Sequence, residues 1–419
     1  MRKLLLLLVI IPVFVVNLIA QPDRCRYDEL LDQHIDRFPG LENHLQEISD
    51  VNQNTRVGNA NHRGGVITIP VVVHILYNNE EENIPDLQVY SQISVLNEDF
   101  RLMNENVQNI PAEFLPFAAD TEIEFCLASR NPEGISTNGI NRVETTFSCM
   151  GDYIGVKEDE KSRIFYADLG GADAWDTEHY LNIWVANTCN QFIGISTNIA
   201  IPDFAPEEDG IVIDYNYFGN NCNSSFAAPY HLGRTATHEI GHYLNLRHPW
   251  ADCDSPDPDF IDDTPRQDGP YFGCPVYPQL SCGSSDMFMN FMNYSDDACM
   301  ALFTIGQKEQ MLATLSGSRF GLTESVGCSF LSQPVPFGQD AILLYPNPAT
   351  NCIHIDFNAV IPGDIDIEMV NTLGQVLYRN IENSRNFRSI DAINLANGIY
   401  YISFRAAKQT ITKKIMIAK

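Results

Sequence analysis

The chain has 419 residues, 44% of them hydrophobic and 10% aromatic, enough for two or three folded units and against wholesale disorder. Its 54 Asp and Glu against 26 Lys and Arg give a net charge of −28, which excludes nucleic acid and anionic membrane as partners, since both require a basic surface.

At the start, Arg2 and Lys3 precede an apolar run over residues 4–16, and Ala20 stands before the polar Gln21-Pro22-Asp23. This is the pattern of an export signal over residues 1–20. The apolar stretch is marginal for a bilayer core of about 30 Å, so no stable membrane span is expected after signal removal. Residues 21–64 are polar and read as a propeptide. Tyr27, Leu30, Leu31 and Ile35 are helically spaced, and the Gly- and Asn-rich stretch 54–65, which holds Arg56 and Arg63, reads as a linker and cleavage zone.

A main unit over residues 65–328 opens with a β-branched run at 66–76, a buried strand. Residues 85–103 form an amphipathic helix with Leu87, Tyr90, Ile93, Leu96 and Phe100 on one face. Further strands are expected at 123–127, 180–186 and 210–215, giving an α/β or α+β class. Residues 329–340 are a linker. Residues 341–419 carry alternating strands between turns and predict a small C-terminal all-β sandwich.

The chemistry is concentrated in His238-Glu239-Ile240-Gly241-His242. On a helix the two histidines share a face, while Ala236, Ile240, Tyr243 and Leu244 lie on the other and can be buried; Thr235 or Thr237 would cap the start. Asn245 is suited to a left-handed turn that ends the helix and returns His248 as a third ligand. Three histidines leave one position of a tetrahedral zinc for water, and Glu239 stands beside the first ligand as general base. The arrangement predicts hydrolysis by a zinc-activated water. The rival is a surface-attached binding or adhesion protein in which zinc only staples the fold; the carboxylate of Glu239 weighs against it.

Of 11 cysteines, Cys253, Cys274, Cys282 and Cys299 crowd one stretch without a Cys-x-x-Cys pair, as expected for disulfides in an exported chain. Three pairings are open. The pairing of Cys126, Cys149, Cys189, Cys222, Cys328 and Cys352 is not legible. Cys25 is either a latency switch, a thiolate filling the open metal position, or the partner of another cysteine. Asp254, Asp257, Asp259, Asp262, Asp263 and Thr264, with Asp296 and Asp297, form either a solvated acidic loop or a calcium site of hard oxygen ligands.

The segment from His238 to His248 resembles the extended zinc signature of metzincin metallopeptidases, with Asn245 in place of the usual glycine. Asn290-Phe291-Met292-Asn293-Tyr294 resembles the clan's methionine turn. His248-Pro249-Trp250, Asp262-Asp263-Thr264-Pro265, Gly273-Cys274-Pro275 and Phe303-Thr304 resemble the pappalysin family, in its cytophagalysin- and ulilysin-like bacterial branch. The resemblance implies a twisted, mostly parallel sheet with backing and active-site helices and an irregular, disulfide-bonded lower subdomain. It implies zinc on His238, His242 and His248, Glu239 as catalytic base, Met292 beneath the metal, and Tyr294 as a donor to the tetrahedral intermediate, the bland alternative for Tyr294 being a core tyrosine. It further implies the pairs Cys253–Cys282 and Cys274–Cys299, calcium near the acidic loop, and a preference for a basic residue just after the scissile bond.

At the C-terminus, Leu344-Tyr345-Pro346-Asn347-Pro348, Leu373-Gly374-Gln375, Leu395-Ala396-Asn397-Gly398 and Lys413-Lys414-Ile415 resemble the sorting domain of type IX secretion. The expectation is therefore a secreted or cell-surface zinc metalloendopeptidase made as a zymogen. Its partners would be protein or peptide substrates and the secretion machinery.

Overall fold

The computed structural model describes residues 23–58, 65–151, 162–220, 228–254, 259–328, 342–357, 364–383, 388–406 and 409–419. The signal at 1–20, the linker at 329–340 and Asp257 lie outside these.

The central sheet has seven strands: β1 (Asp23–Cys25), β2 (Ile67–Tyr77), β3 (Ile123–Leu127), β4 (Ile140–Glu144), β5 (Leu181–Ala186), β6 (Phe192–Ser196) and β7 (Ile211–Asp214). They lie in the order β1-β6-β7-β5-β2-β3, with β4 also on β2. β2 pairs with β3 through its first half and with β4 through its second. Every pairing is parallel except β6 with β7. Parallel strands covered on both faces read as apolar runs, which is why β2 and β5 are evident in the sequence. The polar β4 and the three-residue β1 carry no such run.

Four helices set the site: α1 (Tyr27–Arg37), α2 (Leu41–Gly58), α3 (Asp86–Phe100) and α4 (Arg234–Tyr243). α2 continues to Gly58, so the expected linker from residue 54 is helical over its first five residues. The buried face of α3 is also rotated from expectation. Val89, Gln92, Leu96, Asp99 and Phe100 are buried, whereas Leu87, Tyr90 and Ile93 are only half-covered. The reason is polar: Gln92 and Asp99 turn inward to bond the region of α4, and hydrophobic periodicity does not register such residues.

The lower subdomain has little regular structure and is held by Cys253–Cys282 and Cys274–Cys299. Two more bonds, Cys126–Cys328 and Cys149–Cys189, brace the main unit. The C-terminal module has a three-stranded and a four-stranded antiparallel sheet around Ile353, Ile355, Ile367, Ile402 and Phe404, with inward residues alternating along each strand.

Candidate active site

α4 is buried along all ten residues, so its histidines face the protein's interior and not a solvent-lined polar side. Neither Thr235 nor Thr237 caps it. The N-cap is Gly233, in a left-handed conformation at φ 84°. The amides of Leu232 and Arg234 instead donate to the Asp297 carboxylate at 2.9 and 3.4 Å, an anion placed at the positive end of the helix. Thr237 points back and donates to Asp99 of α3 at 2.8 Å.

The helix ends as expected. Asn245 has φ 68°, its amide donates to His242 at 2.8 Å, and the Leu246 amide donates to Gly241 at 2.9 Å. These two bonds make a Schellman turn that closes the helix and sends the chain back toward His248.

The three histidines converge. His238 Nδ1 donates to the Phe291 carbonyl at 2.7 Å, and His242 Nδ1 donates to the Leu246 carbonyl at 2.9 Å. His248 Nδ1 donates to the Asp28 carboxylate of α1 at 3.0 Å. That leaves the three Nε2 atoms unprotonated and facing one another at 3.0, 3.1 and 3.3 Å. Three lone pairs at that spacing repel unless a cation lies between them. Nitrogens on a tetrahedral zinc, each at 2.0–2.1 Å, stand roughly 3.3 Å apart, so the trio fits that ion. Burial lowers His238 and His242 well below the ordinary imidazole range, favouring the neutral form a metal ligand needs.

Cys25 Sγ joins this cluster, with the four ligand atoms all within 4.8 Å of one another. It is buried, is the free cysteine among the described residues, and approaches Glu239 Oε2 at 3.6 Å. Burial pushes the Glu239 carboxyl up to about 8, and its Oε1 has no hydrogen-bond partner in the described structure. Space for this carboxylate comes from Gly194 of β6, where a Cβ would lie 2.7 Å from Oε1. Below, Met292 Sδ packs against Gly241, 2.3 Å from where a Cβ would sit, on the helix between His238 and His242.

Tyr294 donates from its hydroxyl to the Cys25 carbonyl at 3.1 Å, and its ring lies 5.6 Å from His238 and 5.1 Å from His248. Burial, Cys25 and Glu239 raise its phenol, which stays a donor. It is not a sealed core residue, since its polar end faces the cluster.

Sequence reasoning missed the residue next to Cys25. Arg24 is 4% exposed and lies buried beside Tyr294 and the histidine cluster. It donates to the Tyr294 and Ser295 carbonyls, pairs with Asp297 at 3.3 Å, and lies over the Tyr230 ring at 4.4 Å. Asp297, read from sequence as part of an acidic loop, is thus the buried partner of Arg24; only its burial reveals this. Other members of that loop are engaged by protein donors. Asp263 accepts from Thr304 and Gly306, and Asp259 accepts from Thr264. Tyr27 stacks on His242, ring planes 1° apart.

Residues 166–316 match the family described as Pregnancy-associated plasma protein-A, and residues 343–418 match the secretion system C-terminal sorting domain. Mature mirolysin of Tannerella forsythia in complex with a cleaved peptide is 43% identical, with a TM-score of 0.57, over 62% of this chain and 96% of that one. A promirolysin variant from the same organism is 39% identical, with a TM-score of 0.62, over 72% and 97% of the two chains. An extracellular metalloprotease of Arthroderma benhamiae is 28% identical over 61% of this chain and 80% of its own length. Among the described residues no helix is long and apolar enough to cross a membrane.

Proposed function

The chain belongs to the pappalysin family of metzincin proteases, as a secreted zinc metalloendopeptidase zymogen with a type IX sorting tail, and on that premise we propose how its residues work. His238, His242 and His248 hold the zinc, Glu239 is the catalytic base, and Tyr294 donates to the substrate oxyanion. The observation that carries the reading is the joint position of Cys25: one thiol touches Glu239, faces three imidazole lone pairs, and has its own carbonyl bonded by Tyr294.

Zinc, when bound, supplies a Lewis acid that polarises the scissile carbonyl and acidifies water. The chain's residues do the rest. Glu239, one residue from His238, takes the proton from the attacking water and returns it to the leaving amine. Tyr294 keeps its proton and offers a hydrogen bond to the oxygen that gains charge. The neutral Nε2 atoms are held in place by bonds at their Nδ1 atoms, which fixes the tautomer.

In the same reading, residues 21–64 are the propeptide, 65–328 the catalytic domain and 341–419 the sorting domain. Strand β1 occupies the edge of β6 where an extended peptide would add, and Arg24 occupies the pocket for the residue after the scissile bond. The salt link to Asp297 supports a basic side chain there. For calcium, support is confined to the family resemblance; a rise in melting temperature on adding calcium to chelated protein would support it, and none would remove it.

The test is Glu239→Gln. Zinc content should stay near one per chain while peptide cleavage falls by about 10²–10⁴-fold, the scale of a lost general base. Unchanged turnover would overturn the assignment. A cleavage profile on a mixed peptide library should show Arg or Lys after the cut, and Asp297→Asn should flatten that preference.

A further inference from the structure

Away from the metal, a second guanidinium is bound with equal care. Arg37, the last residue of α1, forms a two-pronged pair with Glu208, Nη1 to Oε2 at 2.7 Å and Nη2 to Oε1 at 3.0 Å. The Glu208 side chain is only 3% exposed. Tyr166 completes the nest: its hydroxyl lies 2.9 Å from Glu208 and 3.1 Å from Glu207. Burial and both carboxylates raise this phenol, so it stays protonated and holds the acidic pair together.

Beside this nest runs an apolar strip, Ala200, Ile201, Phe204 and Ala205, covered by Phe38 and Leu41. His34 and His44 flank it, on Asn198 and Asp203. The platform, residues 197–209, is fixed from beneath by the main unit. Thr197 and Gly210 bond each other, and Asp209 is clamped by both Nη atoms of Arg319 at 2.8 Å. None of these anchors comes from α1 or α2, so the platform keeps its shape when they leave. Departure of α1 removes the Arg37 guanidinium and uncovers the Glu208 carboxylate, beside Tyr166 and the apolar strip, as a two-pronged acceptor for another guanidinium.

We propose that this platform, once freed, is a substrate-binding exosite for an arginine-bearing apolar segment lying N-terminal to the scissile bond. The proposal rests on the reading above that Arg24 marks the pocket for the residue after the cut. The chain runs from that pocket through Cys25 at the metal and on along α1, so the platform lies over the opposite, N-terminal side of a substrate. α1 has 11 residues, a span of about 16 Å, which an extended substrate covers in about five residues.

The experiment uses the processed enzyme and a core peptide with arginine after the cut. Two longer peptides add ten N-terminal residues, differing only by Arg or Gln among apolar neighbours. The Arg extension should raise kcat/KM about five- to tenfold over Gln, through KM, and Glu208→Gln should erase the difference while core-peptide turnover stays unchanged. An Arg-to-Gln ratio near one, or a Glu208→Gln loss equal for all three peptides, overturns the exosite. If Glu208→Gln fails to fold, seen as lost core-peptide turnover, the ratio on unaltered enzyme at low and high salt still decides. A synthetic peptide of residues 27–51 that inhibits all three peptides alike, beside a ratio of one, marks a propeptide cradle only and also overturns it. Failure of the active-site reading would differ, since the core peptide itself would not be cut as expected.

Discussion

His238 and His242 are oriented by main-chain carbonyls of the domain they belong to, whereas His248 is oriented by Asp28, on the segment read as the propeptide. On the proposed reading, the first two partners persist through activation and the third departs with α1. The same division runs through the cleft. Gly194, Met292 and the Schellman turn at Asn245 are permanent parts of the site, while Cys25, Arg24 and Tyr27 only fill it. On the same proposed reading, latency is occupation of a finished site and not postponement of its assembly.

Cys25→Ala strikes that division hardest. The proform should gain peptidase activity at least roughly tenfold, because a charge-assisted ligand contact contributes more than about 1.4 kcal/mol. A rate assay on uncleaved protein decides it; an unchanged rate would mean that Arg24 and Tyr27 alone keep the cleft shut. Asp28→Asn should be next. It weakens the orientation of His248 in the proform only, and zinc should leave to a chelator about tenfold faster, at the low end for outer-shell partners because the Asp28 side chain is 73% exposed. Equal release from variant and parent would show that His248 needs no orienting partner.

Acid should loosen the same clasp. His34 is buried and neutral, lowered to about 3 first by burial and then by Arg37, and its Nδ1 accepts from Asn198 at 3.1 Å. The undocked imidazole titrates near 6.5, so docking is complete above that value. Stability is lost as pH falls from about 6.5 toward 3, by up to roughly tenfold per unit. The His44–Asp203 pair at 2.6 Å is solvent-screened and contributes little. Activation should speed up between pH 7 and pH 5, and His34→Gln should flatten the profile; a profile unchanged by the variant would locate the acid response elsewhere. The smallest effect belongs to the permanent half. Asn245→Gly relieves a left-handed residue and should raise the melting temperature by about 1–2 °C, with activity unaltered. A fall would mean that the asparagine side chain holds the turn.

Much of the permanent half was legible in the sequence, because metal ligands, a left-handed asparagine and apolar strands are fixed by local chemistry. Strands β2, β3, β5 and β7 lie within a residue or so of expectation. What escaped depends on long-range pairing. Asp297 is an unremarkable acid until Arg24, 273 positions away, is placed against it. Asp99, Arg234 and Thr237 form a buried polar link between α3 and α4 that hydrophobic periodicity cannot detect, and it rotated α3 away from the predicted face. Strand β1 has three residues and depends wholly on β6 for partners.

The bond from Cys126 to Cys328, 202 positions apart, turns most of the catalytic domain into a covalent ring. All three histidines, Glu239, Met292, Tyr294 and Asp297 lie inside it; outside lie the segment read as the propeptide, strand β2 and helix α3 on the N-terminal side, and the C-terminal module on the other. Closing a loop of this length removes about 5 kcal/mol of unfolded-state entropy. Its second effect is topological. One stray cut within the ring, by a sister molecule or any other protease outside the cell, opens the circle without releasing a fragment. Cuts before residue 65 or after Cys328 detach the two end segments and leave the circle, with β2 and α3 still joined to it, whole. Trimming at those ends keeps the catalytic parts a single molecule.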